Sequence, residues 1–221
     1  EVLSPLPLEK DLAMHNVSFA YPGAEEPAVK DVSLTVDAKS TVAFVGQTGS
    51  GKTTTVDLIM GLLKPQTGQI VVDGQVIGGE NIERWQKSIG YVPQDIYLAD
   101  ETIARNIAFG VQEEDIDMDA VKEAAQMAQI HDFITCRLPA GFDSMVGERG
   151  VKLSGGQRQR IGIARALYHK PSVLVFDEAT SALDQKTEKD VMDSIYALDG
   201  SRTVILISHR LSTVKKAHQI F

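Results

Sequence analysis

The eight residues Gly46-Gln47-Thr48-Gly49-Ser50-Gly51-Lys52-Thr53 constrain this chain most, because they stand between a short apolar run and an amphipathic pattern. Thr41 to Val45 reads as a buried strand feeding a loop. Thr53 to Leu63 places Val56, Ile59, Met60 and Leu63 on one face and reads as a helix that Lys64-Pro65 ends. Strand, glycine-rich turn and helix start, in that order, fit G-x-x-x-x-G-K-[ST] in the context that gives the motif meaning. Glycines matter there because Cβ atoms would block the backbone's approach to a ligand. Successive N–H groups and the helix N-terminus supply positive potential for a β-phosphate. Lys52 reaches the β/γ oxygens, and Thr53 offers its hydroxyl to Mg2+. Thr54, the next residue, belongs to the same nucleotide-binding run.

A chain of 221 residues suits one α/β domain with an inserted subdomain. The formal charge is 22 minus 30, or −8, without a long Lys/Arg run, which argues against a surface built to wrap nucleic acid. Cys136 stands alone, so no intrachain disulfide forms and a reducing compartment is expected. No apolar stretch approaches the roughly 20 residues that cross a bilayer. Both ends read as cut: Ser4-Pro5-Leu6-Pro7 is linker-like, and the chain stops at Ile220-Phe221 within an expected strand.

Ala13 to Tyr21 and Asp31 to Val36 read as antiparallel strands around the turn 22–27, and Gln69 to Asp73 as a further strand before Gly74. After Ile89 to Val92 the chain changes character. Thr102 to Phe109 and Asp117 to Ile130 read as helices of an inserted lobe, and the acidic run Glu113 to Asp119 as a solvated helix start favoured by the dipole. From Gly156 a helix carries Ile161, Ala164 and Leu167 on one side. Strand Ser172 to Phe176, helix Gln185 to Leu198, strand Thr203 to Ile207 and a terminal helix near Leu211 to Ala217 complete alternating units of a mainly parallel sheet.

A second glycine-rich element, Leu153-Ser154-Gly155-Gly156-Gln157, precedes a helix about a hundred residues beyond the first. Two such elements suggest one nucleotide gripped from two sides. Val173 to Phe176 ends in Asp177-Glu178, which aims two carboxylates at the ligand-binding edge of a parallel sheet. Adjacent side chains diverge, so Asp177 is expected to meet Mg2+ indirectly, behind its direct ligands or through water, and Glu178 to polarise an attacking water. His209 follows the strand 203–207 and reads either as structural or, beside Glu178 and Lys52, as a γ-phosphate contact. Gln94 follows Pro93 where the core gives way to the lobe; it is either a plain loop residue or a hinge whose side-chain carbonyl joins the metal's oxygen shell. Tyr21 either stacks on a base or packs into the first hairpin.

Taken together these residues resemble the ATPase domain of ABC (ATP-binding cassette) transporters over nearly the whole chain: Tyr21, loop 46–53, Gln94, 153–157, Asp177-Glu178, Ser181-Ala182-Leu183-Asp184 and His209, in order. Val146-Gly147-Glu148-Arg149-Gly150, Asp177-Glu178-Ala179-Thr180 and Ser208-His209-Arg210-Leu211-Ser212-Thr213 look like the exporter branch, with a preference for flippases of lipid-linked saccharides. Gln47-Thr48 and Gly162 depart from the commonest family residues.

The resemblance implies an α/β P-loop NTPase (RecA-like) fold. Its core and antiparallel β subdomain would cover 11–93 and 158–221, with a helical subdomain over about 94–157, a linker at 1–10 and a truncated C-terminus. It implies ATP and Mg2+ as ligands and a head-to-tail dimer with two ATP molecules between subunits. Lys52, Thr53, Gln94 and Asp177 would organise phosphates and metal, Glu178 act as base and His209 hold the γ-phosphate. Ser154 and Gly156, with Gly155 and Gln157, would cap that phosphate from the opposite subunit. A transmembrane exporter domain is the implied second partner, loop 146–150 its contact, and the cytoplasmic face of the membrane the implied location. A soluble ABC ATPase acting on nucleic acid or ribosomes is the rival, but its usual coiled-coil insertion, cysteine cluster and basic arm are absent from the sequence. A catalytically idle regulatory cassette is disfavoured because Glu178 and His209 are both present.

Overall fold

The computed structural model describes residues 3–180, 183–197, 200–209 and 214–221. The strands are β1 (Asp11–Phe19), β2 (Val29–Asp37), β3 (Thr41–Phe44), β4 (Thr67–Val72), β5 (Gln75–Val76), β6 (Ile89–Val92), β7 (Val173–Asp177), β8 (Thr203–Ile207) and β9 (Gln219–Ile220). The helices are α1 (Lys52–Ile59), α2 (Ile82–Gln86), α3 (Ile103–Ile107), α4 (Met118–Met127), α5 (His131–Arg137), α6 (Gly155–Tyr168) and α7 (Gln185–Tyr196). Residues 211–213 of the expected terminal helix near 211–217 lie outside the described residues.

Alternation in the first third of the sequence produces an antiparallel sheet of order β2-β1-β4-β5. The β1–β2 register is interrupted between Met14 and Val17, where Asn16 takes φ 48° and donates its side-chain amide to Asp31 at 2.9 Å. Across that bulge, a Cβ on Gly68 would fall 2.3 Å from the carbonyl oxygens of His15 and Asn16. Only glycine lets β4 approach so closely. Asp73 and Gly74, at φ 49° and 80°, form the two-residue turn into β5. The Asp73 carboxylate accepts the backbone N–H groups of Glu9, Lys10 and Asp11 at 2.8, 2.7 and 3.0 Å, which fastens the start of β1.

Continuous apolar runs form a second sheet of order β6-β7-β8-β3-β9, in which β3 pairs parallel with both β8 and β9. Ile220 thus falls within a strand, as its sequence suggests.

Helix α1 stops at Ile59, earlier than Lys64-Pro65 predicts. Gly61 at φ 70° provides the reason: its N–H reaches the Leu58 carbonyl at 3.0 Å while Leu62 N–H reaches that of Asp57 at 2.9 Å. This double bond over a left-handed glycine satisfies the last carbonyls and ends the helix. Trp85, fully buried, donates its indole N–H to the Ile59 carbonyl at 2.8 Å.

The chain divides into two compact units, Glu1–Ile89 with Pro171–Val175 and Asp199–Phe221, and Gly90–Lys170 with Phe176–Leu198. Leu12, Met14, Val36, Val56, Leu58, Trp85, Val175 and Ile205 are among the core of the first. Each such aliphatic side chain contributes about 1.5–3 kcal/mol on burial. In the second, α6 packs on α3 and α4, burying Ile103, Ile107, Val121, Ala124, Ile161 and Ala164. Asp117 caps α4 by accepting the N–H groups of Asp119 and Ala120 at 2.9 and 3.1 Å, so the acidic run does start a helix.

Candidate nucleotide site

In the first unit, β3 delivers the chain to loop 46–53 and α1 takes it away. Gly51 sits at φ 87°, and a Cβ there would lie 2.4 Å from the Ala28 carbonyl oxygen, so the loop's entry into α1 requires glycine. The Lys52 ammonium is folded back under the loop, donating to the Gly46 and Gln47 carbonyls at 2.8 and 2.7 Å. Ser50 N–H closes a turn onto the Gln47 carbonyl at 3.2 Å. Gln47, Thr48, Gly49, Ser50 and Thr53 remain exposed. An ammonium seated in an exposed loop at a helix N-terminus suits a polyphosphate, and the outward Thr53 hydroxyl is a hard oxygen suited to Mg2+.

His209 leaves the same sheet edge as that loop. Strands β3 and β8 run parallel with Phe44 opposite Ile207, and Ser208 N–H continues the ladder onto the Phe44 carbonyl at 3.2 Å. The residue after Val45 and the residue after Ser208 therefore emerge side by side, with His209 exposed.

Tyr21 packs into the first hairpin with part of its ring exposed. Its ring meets Phe19 edge-on at 5.1 Å, as a hairpin aromatic would, yet it stays 44% exposed. Its hydroxyl lies 3.1 Å from that of Thr54 on α1, so the ring is tethered to the helix that follows the loop. That tether leaves no signal in the sequence.

The second unit carries Gln94, residues 153–157, Asp177 and Glu178. Asp177 ends β7 and accepts a hydrogen bond from the Tyr91 hydroxyl at 3.4 Å. Glu178, immediately after, has φ 50°, a left-handed conformation that costs a non-glycine residue about 1–3 kcal/mol. Gln94 is exposed, while its backbone carbonyl accepts from the buried Gln159 side chain at 3.4 Å.

Ser154 is the N-cap of α6. Its hydroxyl accepts the Gln157 N–H at 3.2 Å, and the Gln157 side-chain oxygen accepts the Ser154 N–H at 2.9 Å. This reciprocal box holds the helix start, leaving the N–H groups of Gly155 and Gly156 in the first turn, where no intrahelical acceptor exists. The S-x-x-Q spacing carried that signal. Arg158 fastens the approach by donating to the Leu153 carbonyl at 2.7 Å. Upstream, Gly147, Arg149 and Gly150 all take positive φ, giving 146–150 an irregular path.

Asp184 caps α7, accepting the N–H groups of Lys186 and Thr187 at 3.1 Å each and the Thr187 hydroxyl at 2.7 Å. The Thr187 hydroxyl, then its N–H, hold the Asp184 carboxyl below its ordinary value.

A family model described as ABC transporter matches residues 29–181. The chain is 47% identical over 205 residues to an ATP-dependent lipid A-core flippase of Methylococcus capsulatus, covering 93% of this chain and 34% of that protein. To the flippase of the same description in Escherichia coli it is 41% identical over 210 residues, covering 95% and 36%. A bacterial Atm1-family ABC exporter solved with ATP bound superposes with a TM-score of 0.89 at 41% identity, covering 99% of this chain and 38% of that one. The chain thus spans about a third of the length of these relatives, and its α/β architecture is that of a P-loop NTPase.

Proposed function

The chain belongs to the ABC transporter family, in its exporter branch, and on that premise we propose that it binds ATP with Mg2+ and hydrolyses it to move a transmembrane partner. The observation that carries this reading is the shared edge of β3 and β8, from which the loop holding Lys52 and the segment bearing His209 emerge together.

Residues 46–54 take the phosphates, with Lys52 at the β/γ oxygens and Tyr21 against the base. Thr53 and Gln94 would supply oxygen donors for Mg2+, with Asp177 acting behind them or through water, a set suited to a hard cation. When bound, the ion neutralises charge on the β- and γ-phosphate oxygens. Glu178 takes a proton from water as that water's oxygen bonds to the γ-phosphorus and the bond to the β,γ-bridging oxygen breaks, releasing ADP. His209 donates to the γ-phosphate as charge develops. In a head-to-tail pair, Ser154, Gly155, Gly156 and Gln157 of one copy face the nucleotide of the other.

The names of two relatives, ATP-dependent lipid A-core flippases, support flipping of a lipid. Loop 146–150 then meets the membrane partner from the cytoplasmic side. The subdomain division at about 94–157 belongs to the same reading. The nucleic-acid alternative finds no counterpart among those relatives.

The test is turnover of Mg2+-ATP by the chain and by its Glu178→Gln form. Glu178→Gln should retain ATP binding, lose turnover and accumulate a dimer in ATP; near-normal hydrolysis would sink the assignment of Glu178. Mixing Lys52→Ala with Gly156→Asp chains tests the shared site. Activity restored at both sites of the pair would contradict the head-to-tail arrangement.

A further inference from the structure

Three residues spaced three apart on α6 hold three points of the loop that carries Gln94. Gln159, buried, donates its side-chain amide to the Gln94 carbonyl at 3.4 Å. At Gly162 a Cβ would lie 2.4 Å from Cδ1 and 2.8 Å from Cγ1 of Ile96, so the isoleucine fills the space the glycine leaves. Arg165 donates from Nη1 to the Tyr97 carbonyl at 2.9 Å and from Nε to the Asn106 carbonyl at 2.8 Å. Residues 159, 162 and 165 share one side of the helix because positions three apart are neighbours there. Gly162 lies within a regular helix, where alanine would be the better helix former. Its missing side chain therefore answers to Ile96 and not to backbone conformation.

We propose that this face of α6 is a clasp that positions Gln94, with Gln159 and Gly162 as its positioning residues. The inference rests on the role given to Gln94 under Proposed function. The helix that Ser154 caps begins only about 7 Å along its axis from Gln159. A displacement of that helix start therefore carries the Gln94 backbone with it. In the proposed pair, the residue facing one nucleotide is tied to the helix start facing the other.

Two measurements test the clasp: amide hydrogen exchange over residues 94–99 without nucleotide, and the Mg2+ concentration giving half-maximal ATP turnover. Gln159→Leu removes the donor at similar volume, and Gly162→Ala drives a methyl into Ile96. Both should speed exchange about fivefold, the worth of one hydrogen bond, and raise the Mg2+ requirement by a similar factor. The pair Gly162→Ala with Ile96→Ala should restore both readouts. A merely structural role predicts the opposite for Gly162→Ala, since alanine strengthens a helix without moving the Mg2+ requirement. Unchanged exchange, an unchanged Mg2+ requirement, or a double variant no better than Gly162→Ala overturns the proposal. If Gly162→Ala does not fold, Gln159→Leu alone decides. A chain that neither binds nor hydrolyses ATP overturns the functional reading, while the exchange data still judge the clasp.

Discussion

Ser154 and Gln157 bond one another reciprocally at the head of α6, hydroxyl to N–H at 3.2 Å and side-chain oxygen to N–H at 2.9 Å. Both side chains are engaged in holding the helix start, so their substitution acts on folding before it acts on any ligand. Ser154→Ala should lower unfolding free energy by about 1 kcal/mol, and Gln157→Ala by somewhat less, in denaturant titrations without nucleotide. Unaltered midpoints for both would show that the box carries no stability.

The glycines of the phosphate loop should not be equivalent. A Cβ on Gly51 meets the Ala28 carbonyl oxygen at 2.4 Å, whereas one on Gly49, at φ 83°, meets nothing within 4 Å. Gly49→Ala should therefore cost about 1–2 kcal/mol of backbone strain. Gly51→Ala should cost more and weaken nucleotide binding by moving the Lys52 helix start. Equal losses in thermal unfolding would refute the steric distinction.

The left-handed backbone at Glu178 separates strain from chemistry. Glu178→Gly should relieve the conformation, raising stability by up to about 1 kcal/mol, yet reduce turnover at least about a hundredfold. Glu178→Gln should match that kinetic loss with stability within about 0.5 kcal/mol of the parent. Chemical unfolding beside ATP turnover reads both effects.

Asp184 sets a pH dependence. Its carboxyl is held below the ordinary aspartate value by the Thr187 hydroxyl and N–H, so the folded state binds the proton more weakly than the unfolded chain. The stabilisation is present above the unfolded value and is lost as pH falls through the folded one. Asp184→Asn should therefore melt below the parent at neutral pH, and the gap should close progressively below about pH 4. A gap independent of pH would exclude the carboxylate as its source.

Loop 46–53 and its flanking strand and helix were legible because the pattern is local: an apolar run, glycines and a lysine at fixed spacing need no distant partner. The same holds for Thr203 to Ile207, found with the bounds its apolar run suggests. From the sequence Pro65 looks like the stop of α1, because Gly61 in a helical pattern resembles a tolerated glycine; the bonds of Gly61 and Leu62 place the stop earlier. Asp73, whose partners lie 62 to 64 residues away, left no trace in periodicity.

By itself the sequence determined loop 46–53, the order of the longer strands and helices though not α2, α5 or β5, and the residue types available for phosphate, metal and water. Those follow from short-range backbone preference and from periodic burial. Only the tertiary structure decided that His209 emerges beside that loop, that Glu178 takes a left-handed backbone conformation, and that Gly162 is a socket for Ile96. Each depends on the register or close approach of segments far apart in the chain, which packing resolves and residue spacing does not encode.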